Sequence, residues 1–122
     1  MSSNIPNSVI GAVASVIAGH YNSHSKLDTL FMESGAPGDA PEGNCERKCS
    51  EWLKRCNEDP KVDALEVLGR IIQNLMDMPP PVSFFDESPS RVEGGQERIK
   101  TALAQNQLSY RLNGYITPAG ST

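Results

Sequence analysis

Between Tyr21 and Met76 the sequence sets three amphipathic helix patterns around one Gly/Pro-rich loop, Gly35 to Pro41, and its only tryptophan, Trp52, lies in the middle pattern. Apolar residues spaced in steps of three and four form a single face only on a helix of 3.6 residues per turn, so this block must fold by packing short helices against one another. A chain of 122 residues has the length of one domain with one modest core.

The helices can be placed from their stop and start signals. Pro6 suits the first turn of a first helix, with Asn4 or Ser3 ahead of it, and Val9, Ile10, Val13, Val16, Ile17 and Tyr21 share one face. Asn22 to Ser25 breaks that helix and supplies N-cap oxygens for a second, which carries Leu27, Leu30 and Phe31 and ends at Gly35 in a left-handed conformation. Pro37 and Pro41 with Gly38 and Gly43 make the next stretch a shaped loop, since proline restricts one backbone angle and glycine permits a positive one.

Asn44 caps a third helix whose apolar residues Cys45, Cys49, Trp52, Leu53 and Cys56 stand at offsets of 0, 4, 7, 8 and 11, a single stripe. Glu46, Arg47, Lys48, Glu51, Lys54 and Arg55 are expected on the opposite, solvated face. Asn57 to Pro60 ends this helix. Asp63, with Glu66 three residues on, reads as a capping-box start for a fourth, lined by Leu65, Leu68, Ile71, Ile72, Leu75 and Met76.

After Asp77 the composition changes. Met78-Pro-Pro-Pro-Val82 cannot continue a helix, and Ser83 to Gly95 is rich in Ser, Gly, Pro and acidic residues, so 78–95 reads as a linker with a surface loop. Phe84 and Phe85 within it would expose apolar surface, and at least one is expected to return to the bundle. A fifth helix then places Ile99, Ala102 and Leu103 on one face. From Leu108 the period switches to two, and Asn113-Gly114 between alternating runs signals a β-hairpin, because both residues tolerate positive φ. An isolated hairpin is marginal in water, so this one must lie on the helices or on another chain.

The expected fold is therefore mainly α: a small bundle of about five helices with a C-terminal β-hairpin. One domain spans 1–122, with a four-helix core over 6–77, a linker over 78–95, a helix plus hairpin over 96–117, and a polar tail over 118–122.

Several function classes are disfavoured. Eleven Lys and Arg against fifteen Asp and Glu give a net charge of −4, which is no broad electrostatic footprint for nucleic acid. The apolar stretch Val9 to Ala18 is far short of the roughly 20 residues a membrane span needs, and no basic residue precedes it as in a signal peptide. No membrane association is expected. An odd number of cysteines clustered on one helix is a poor disulfide framework, so a cytoplasmic protein is expected.

The cysteines invite a metal reading with His20 or His24, but three cysteines over three turns of one helix cannot all reach one ion; only Cys45 and Cys49 could share one. Free cysteine buried as a small hydrophobe is the competing reading. His20 and His24 fall on different elements across the Asn22-Ser23 break. There is no Gly-x-Ser-x-Gly elbow and no phosphate-binding Gly-x-x-x-x-Gly-Lys-Ser/Thr. Catalytic residues, metal and cofactor are all expected to be none. A helix followed by a hairpin also has the order found at the end of a winged helix, with Arg111 on the wing, and this keeps nucleic-acid binding as the alternative.

His24-Ser-Lys-Leu-Asp-Thr-Leu-Phe-Met-Glu-Ser-Gly-Ala-Pro-Gly-Asp-Ala-Pro41, then Lys48 and Trp52-Leu53, then Leu65-Glu-Val-Leu-Gly69, and finally Leu108-Ser-Tyr110 with Gly114-Tyr-Ile116, together resemble the N-terminal domain of bacterial abortive-infection phage-defence proteins of the AbiJ type. The resemblance covers nearly the whole chain except 79–95. It implies a non-catalytic sensing, adaptor or oligomerisation domain that precedes a C-terminal effector region, often helical and nuclease-like, absent from these 122 residues. That family's RNase centre has an Arg followed shortly by a His; neither histidine here has an arginine upstream, so no nuclease role carries over. The family pattern has Gly-Gly in the hairpin turn where this chain has Asn113-Gly114, and the cysteines are outside the resemblance. The expected partner is a protein or the effector region, with homo-oligomerisation as one form, and the candidate partner-binding residues are His24, Lys48, Phe84, Phe85 and Arg111.

Overall fold

A computed structural model describes residues 4–78 and 91–118, the side chain of Arg91 excepted. Five helices and one hairpin follow in order: α1 (Asn7–Tyr21), α2 (His24–Ser34), α3 (Cys45–Glu58), α4 (Ala64–Met76), α5 (Arg91–Gln105), β1 (Leu108–Arg111) and β2 (Tyr115–Pro118). The expected class, a mainly α bundle with a C-terminal hairpin, is the one observed.

The helix boundaries follow local chemistry. Ser23 accepts the Lys26 N–H, Asn44 accepts the Arg47 N–H at 2.8 Å and Asp63 accepts the Glu66 N–H at 3.2 Å, so each cap satisfies a backbone donor that the first turn leaves open. Gly35, at φ +97°, ends α2. Asn22, at φ +46°, ends α1 in the same left-handed region.

One core joins the five helices. α1 packs on α2, α3 and α5, while α4 packs on α2, α3, α5 and β2. Val9, Val13 and Ile17 of α1 and Leu68, Ile71, Ile72 and Leu75 of α4 are buried, with Ile99, Ala102 and Leu103 of α5. Cys49, Trp52, Leu53 and Cys56 are buried as the α3 stripe requires. Ile5, ahead of α1, is also buried, because the Asn57 side chain clamps its backbone: Ile5 N–H donates to Asn57 Oδ1 at 2.7 Å, and Asn57 Nδ2 donates to the Ile5 carbonyl at 3.0 Å. Asn57 thus belongs to α3, which runs on to Glu58.

The Gly/Pro loop is tied down by α3. Trp52 stacks on Phe31 with ring centroids 5.0 Å apart and planes 10° from parallel. Its indole N–H donates to the Pro37 carbonyl at 3.0 Å, and Arg55 donates to the Pro37 and Asp39 carbonyls. A fully buried indole needs such an acceptor.

Three expectations need correction. Lys48 is not on a solvated face: it is only 6% exposed, and its ammonium lies 2.7 Å from Asp28 Oδ1 on α2. Position 48 adjoins the Cys49 stripe on the side that meets α2, where the long stem can be covered while the head reaches a carboxylate. Residues 91–95, expected in the linker, belong to α5, which begins at Arg91 and takes in Gly94 and Gly95. A Cβ on Gly95 would lie 2.7 Å from Val16 Cγ1, so this glycine is a close-approach position between α5 and α1 instead of a linker residue. Pro118, assigned to the tail, pairs with Leu108 in the ladder. Phe84 and Phe85 lie outside the described residues.

Candidate functional site

The hairpin is the most heavily anchored small element. Its ladder pairs Leu108 with Pro118, Ser109 with Thr117, Tyr110 with Ile116 and Arg111 with Tyr115. Successive residues point to opposite faces. Leu108, Tyr110 and Ile116 therefore pack on the helical core, while Arg111 and Tyr115 stand directly opposite one another on the outer face. Asn113 and Gly114 both have positive φ, +75° and +88°, as the turn signal requires. The strand expected to reach Leu112 instead stops at Arg111, and the connection is the three residues Leu112, Asn113 and Gly114.

One polar node holds the turn on α4. Tyr110 O–H donates to Asp77 Oδ1 at 2.7 Å, Asn113 N–H donates to Asp77 Oδ2 at 3.1 Å, and Gly114 N–H donates to the Tyr110 hydroxyl at 3.0 Å. Burial, reinforced by donation to Asp77, pushes the Tyr110 phenol well above its ordinary value. The Tyr110 hydroxyl therefore keeps its proton, and with it the hydrogen bond to Asp77, across the neutral range. Gln96 of α5 covers the same end of α4, donating to the Leu75 carbonyl at 2.8 Å and the Met78 carbonyl at 3.1 Å. The Leu75 carbonyl also accepts the Met78 N–H at 3.4 Å, so Gln96 adds a donor from another element to a helix end that its own backbone caps only weakly.

What this anchoring presents is apolar. Leu112, at the tip, is 68% exposed and Tyr115 is 62% exposed, with Arg111 exposed across the ladder. Arg111 Nε donates to Thr117 Oγ1 at 3.3 Å, which lays the guanidinium along the outer face. Beside it, between β2 and α4, is a groove of about 590 Å³ lined by Leu65, Gln73, Tyr115 and Ile116. Arg70 and Glu66 also line the groove, as an ion pair. Tyr and Arg next to apolar side chains, within a rim of paired charge, is the composition of protein-binding hot spots.

Of the five sequence-derived candidates, Phe84 and Phe85 lie outside the described residues, and the other three stand apart in role. Arg111 belongs to the hairpin face. Lys48 is committed to Asp28, and His24 is an exposed first residue of α2. Leu112, Tyr115 and Asp77 were missed. Alternation of period two could have marked Tyr115 as facing away from Tyr110 and Leu108, but nothing local marks Asp77, whose partners lie 33 and 36 residues away.

The cysteines behave as core. Burial pushes the Cys49 thiol up to about 12 and the Cys56 thiol up to about 11, so neither is a thiolate near neutrality. Among the described residues no group of three or more His, Cys, Asp or Glu side chains is placed to hold a metal ion. Among the same residues no helix is long and apolar enough to cross a membrane. No protein-family model, curated protein or solved structure matches the chain.

Proposed function

We propose that this domain is a non-catalytic protein-interaction module that works through its hairpin face, and that it serves as the sensing, adaptor or oligomerisation domain of a cytoplasmic bacterial anti-phage protein of the abortive-infection type. The observation that carries the interaction reading is the exposure of Leu112 and Tyr115 on a hairpin held to α4 by Asp77 and Tyr110. A pre-organised face costs little entropy on binding, so large side chains on such a face favour a partner more than they would on a loose loop. The defence role rests on the resemblance of residues 24–41, Lys48, Trp52-Leu53, 65–69, 108–110 and 114–116. Those stretches include Gly69, Tyr110 and Gly114, which meet at the base of the hairpin.

Light scattering on the chain alone, and on the chain mixed with the C-terminal region of its parent protein, tests this reading. Self-association or a complex is expected, weakened by Leu112→Ser with Tyr115→Ser. Strictly monomeric, non-interacting species in both samples would sink it. A second reading, nucleic-acid binding by the α5–hairpin unit, is favoured only by the exposed Arg111 guanidinium on the outer strand face. An electrophoretic shift at low salt that Arg111→Ala leaves unchanged would remove that site.

A further inference from the structure

On a different face, α1 and α5 enclose a cleft of about 380 Å³ lined by Ser15, Val16, Gly19, His20, Leu75, Gly94, Gly95 and Arg98. The geometry points to a binding site for a small phosphomonoester, of nucleoside monophosphate size, in this cleft.

Among the described residues, every ionisable group that lines it is basic. Arg98 and His20 do so in a chain of net charge −4, while the nearby Glu93 and Glu97 line a separate hollow beside Met76 and Lys100. Arg98 is held in place across the helix interface: its Nη1 donates to Ser15 Oγ at 2.8 Å. No carboxylate among the described residues pairs with it, whereas Lys48, Arg70 and Lys100 all have acidic partners. By accepting from Arg98, the Ser15 hydroxyl keeps its own proton free to donate. His20 stands at the end of α1 with its ring edge-on to Tyr21, 4.8 Å between centroids. Guanidinium, hydroxyl and imidazole thus supply donors from three side chains, which suits the several oxygens of a tetrahedral dianion better than a planar carboxylate.

The cleft also has room and an apolar wall. A Cβ on Gly19 or on Gly94 would meet open space, so the missing side chains leave the cavity unfilled on both helices. Val16, half-buried, forms the apolar surface against which the organic body would lie, with the buried Leu75 beneath it. The volume falls within the roughly 300–1,000 Å³ usual for small-molecule sites.

The experiment is an amide-resonance titration of the full chain with inorganic phosphate, AMP and adenosine, at constant ionic strength set by chloride. Phosphate and AMP are expected to shift the Gly19, Gly94 and Gly95 signals saturably at millimolar concentration or below, AMP the more tightly, with adenosine inert. Arg98→Gln, at an exposed position, should weaken AMP by roughly tenfold to a hundredfold, the worth of one or two charge-assisted hydrogen bonds. Gly19→Leu should abolish binding by filling the cleft while leaving the melting temperature near that of the parent. The site is refuted if shifts do not saturate, if chloride alone reproduces them, or if Arg98→Gln binds AMP as the parent does. Binding of a 5′-phosphorylated oligonucleotide without binding of AMP would equally overturn it, since the ligand would then be a nucleic-acid end.

Discussion

Gly69 of α4 and Gly114 of the hairpin turn meet backbone to backbone: a Cβ placed on Gly69 would overlap the Gly114 carbonyl oxygen and lie 2.8 Å from its carbonyl carbon. Both residues are buried, and Gly114 has φ +88°. Two competing effects make this contact a clean test. Helix propensity alone favours Gly69→Ala by about 1 kcal/mol, whereas the overlap with main-chain atoms that cannot rotate away costs about 1–3 kcal/mol or more. Gly69→Ala should therefore destabilise the domain and raise hydrogen exchange in Leu108–Pro118. Increased stability in urea would show that the hairpin does not sit on α4 as described.

The pairing of Lys48 with Asp28 predicts an asymmetry. Removing the carboxylate strands an ammonium that is almost fully covered, so Asp28→Ala should cost about 1–3 kcal/mol. Lys48→Met keeps the apolar stem and leaves a carboxylate whose side chain is 35% exposed, so it should fall within about 1 kcal/mol of the parent. Chemical denaturation of the two variants checks this. The reverse order would mean that Lys48 contributes through its charge to something other than Asp28.

Trp52 joins the core to the Gly/Pro loop. Its replacement by Ala should cost about 3–5 kcal/mol, as expected for a large buried aromatic. Trp52→Phe retains a ring against Phe31 but loses the donor to Pro37, and should cost about 1–2 kcal/mol. Because Arg55 also donates to the Pro37 carbonyl, that acceptor is not orphaned in the Phe variant. A near-neutral Trp52→Ala in thermal and urea unfolding would remove Trp52 from the core.

The buried thiols make stability fall at alkaline pH. Cys49 and Cys56 have folded-state values raised to about 12 and about 11, while unfolded thiols ionise near 8.5. Above about pH 8.5 the unfolded state binds fewer protons than the folded one, so their contribution is complete below that pH and is lost as pH rises toward the folded values. Each thiol adds a slope of up to about 1.4 kcal/mol per pH unit. Tyr110, also raised, acts in the same direction at still higher pH. Urea midpoints of the parent should therefore decline more steeply between about pH 9 and 11 than those of a Cys49→Val, Cys56→Ala variant. Equal slopes would place both thiols in contact with water.

Much of the fold was legible because its determinants are local. Ser23, Asn44 and Asp63 cap helices whose apolar spacing marks them, Gly35 supplies the left-handed stop, and Asn113-Gly114 supplies the positive φ of the turn. These are preferences of a residue and its neighbours within a few positions, so reading along the chain finds them. The candidate site was far less legible: of the three partner-binding candidates among the described residues, Arg111 lies on the hairpin face, His24 starts α2, and Lys48 proved to be a covered partner of Asp28.

By itself, then, the sequence determined the helical class, the positions of the caps and turns, and the stripe around Trp52. Tertiary structure alone decided that Gly95 and Gly69 are close-approach positions, that Gln96 and Asp77 tie the end of α4 to α5 and the hairpin, and that Arg98 reaches Ser15 across 83 positions of chain. The physical reason is range. Propensity and periodicity act over one or two turns, whereas a missing Cβ or a polar side chain acquires its role only from whatever backbone the fold brings against it.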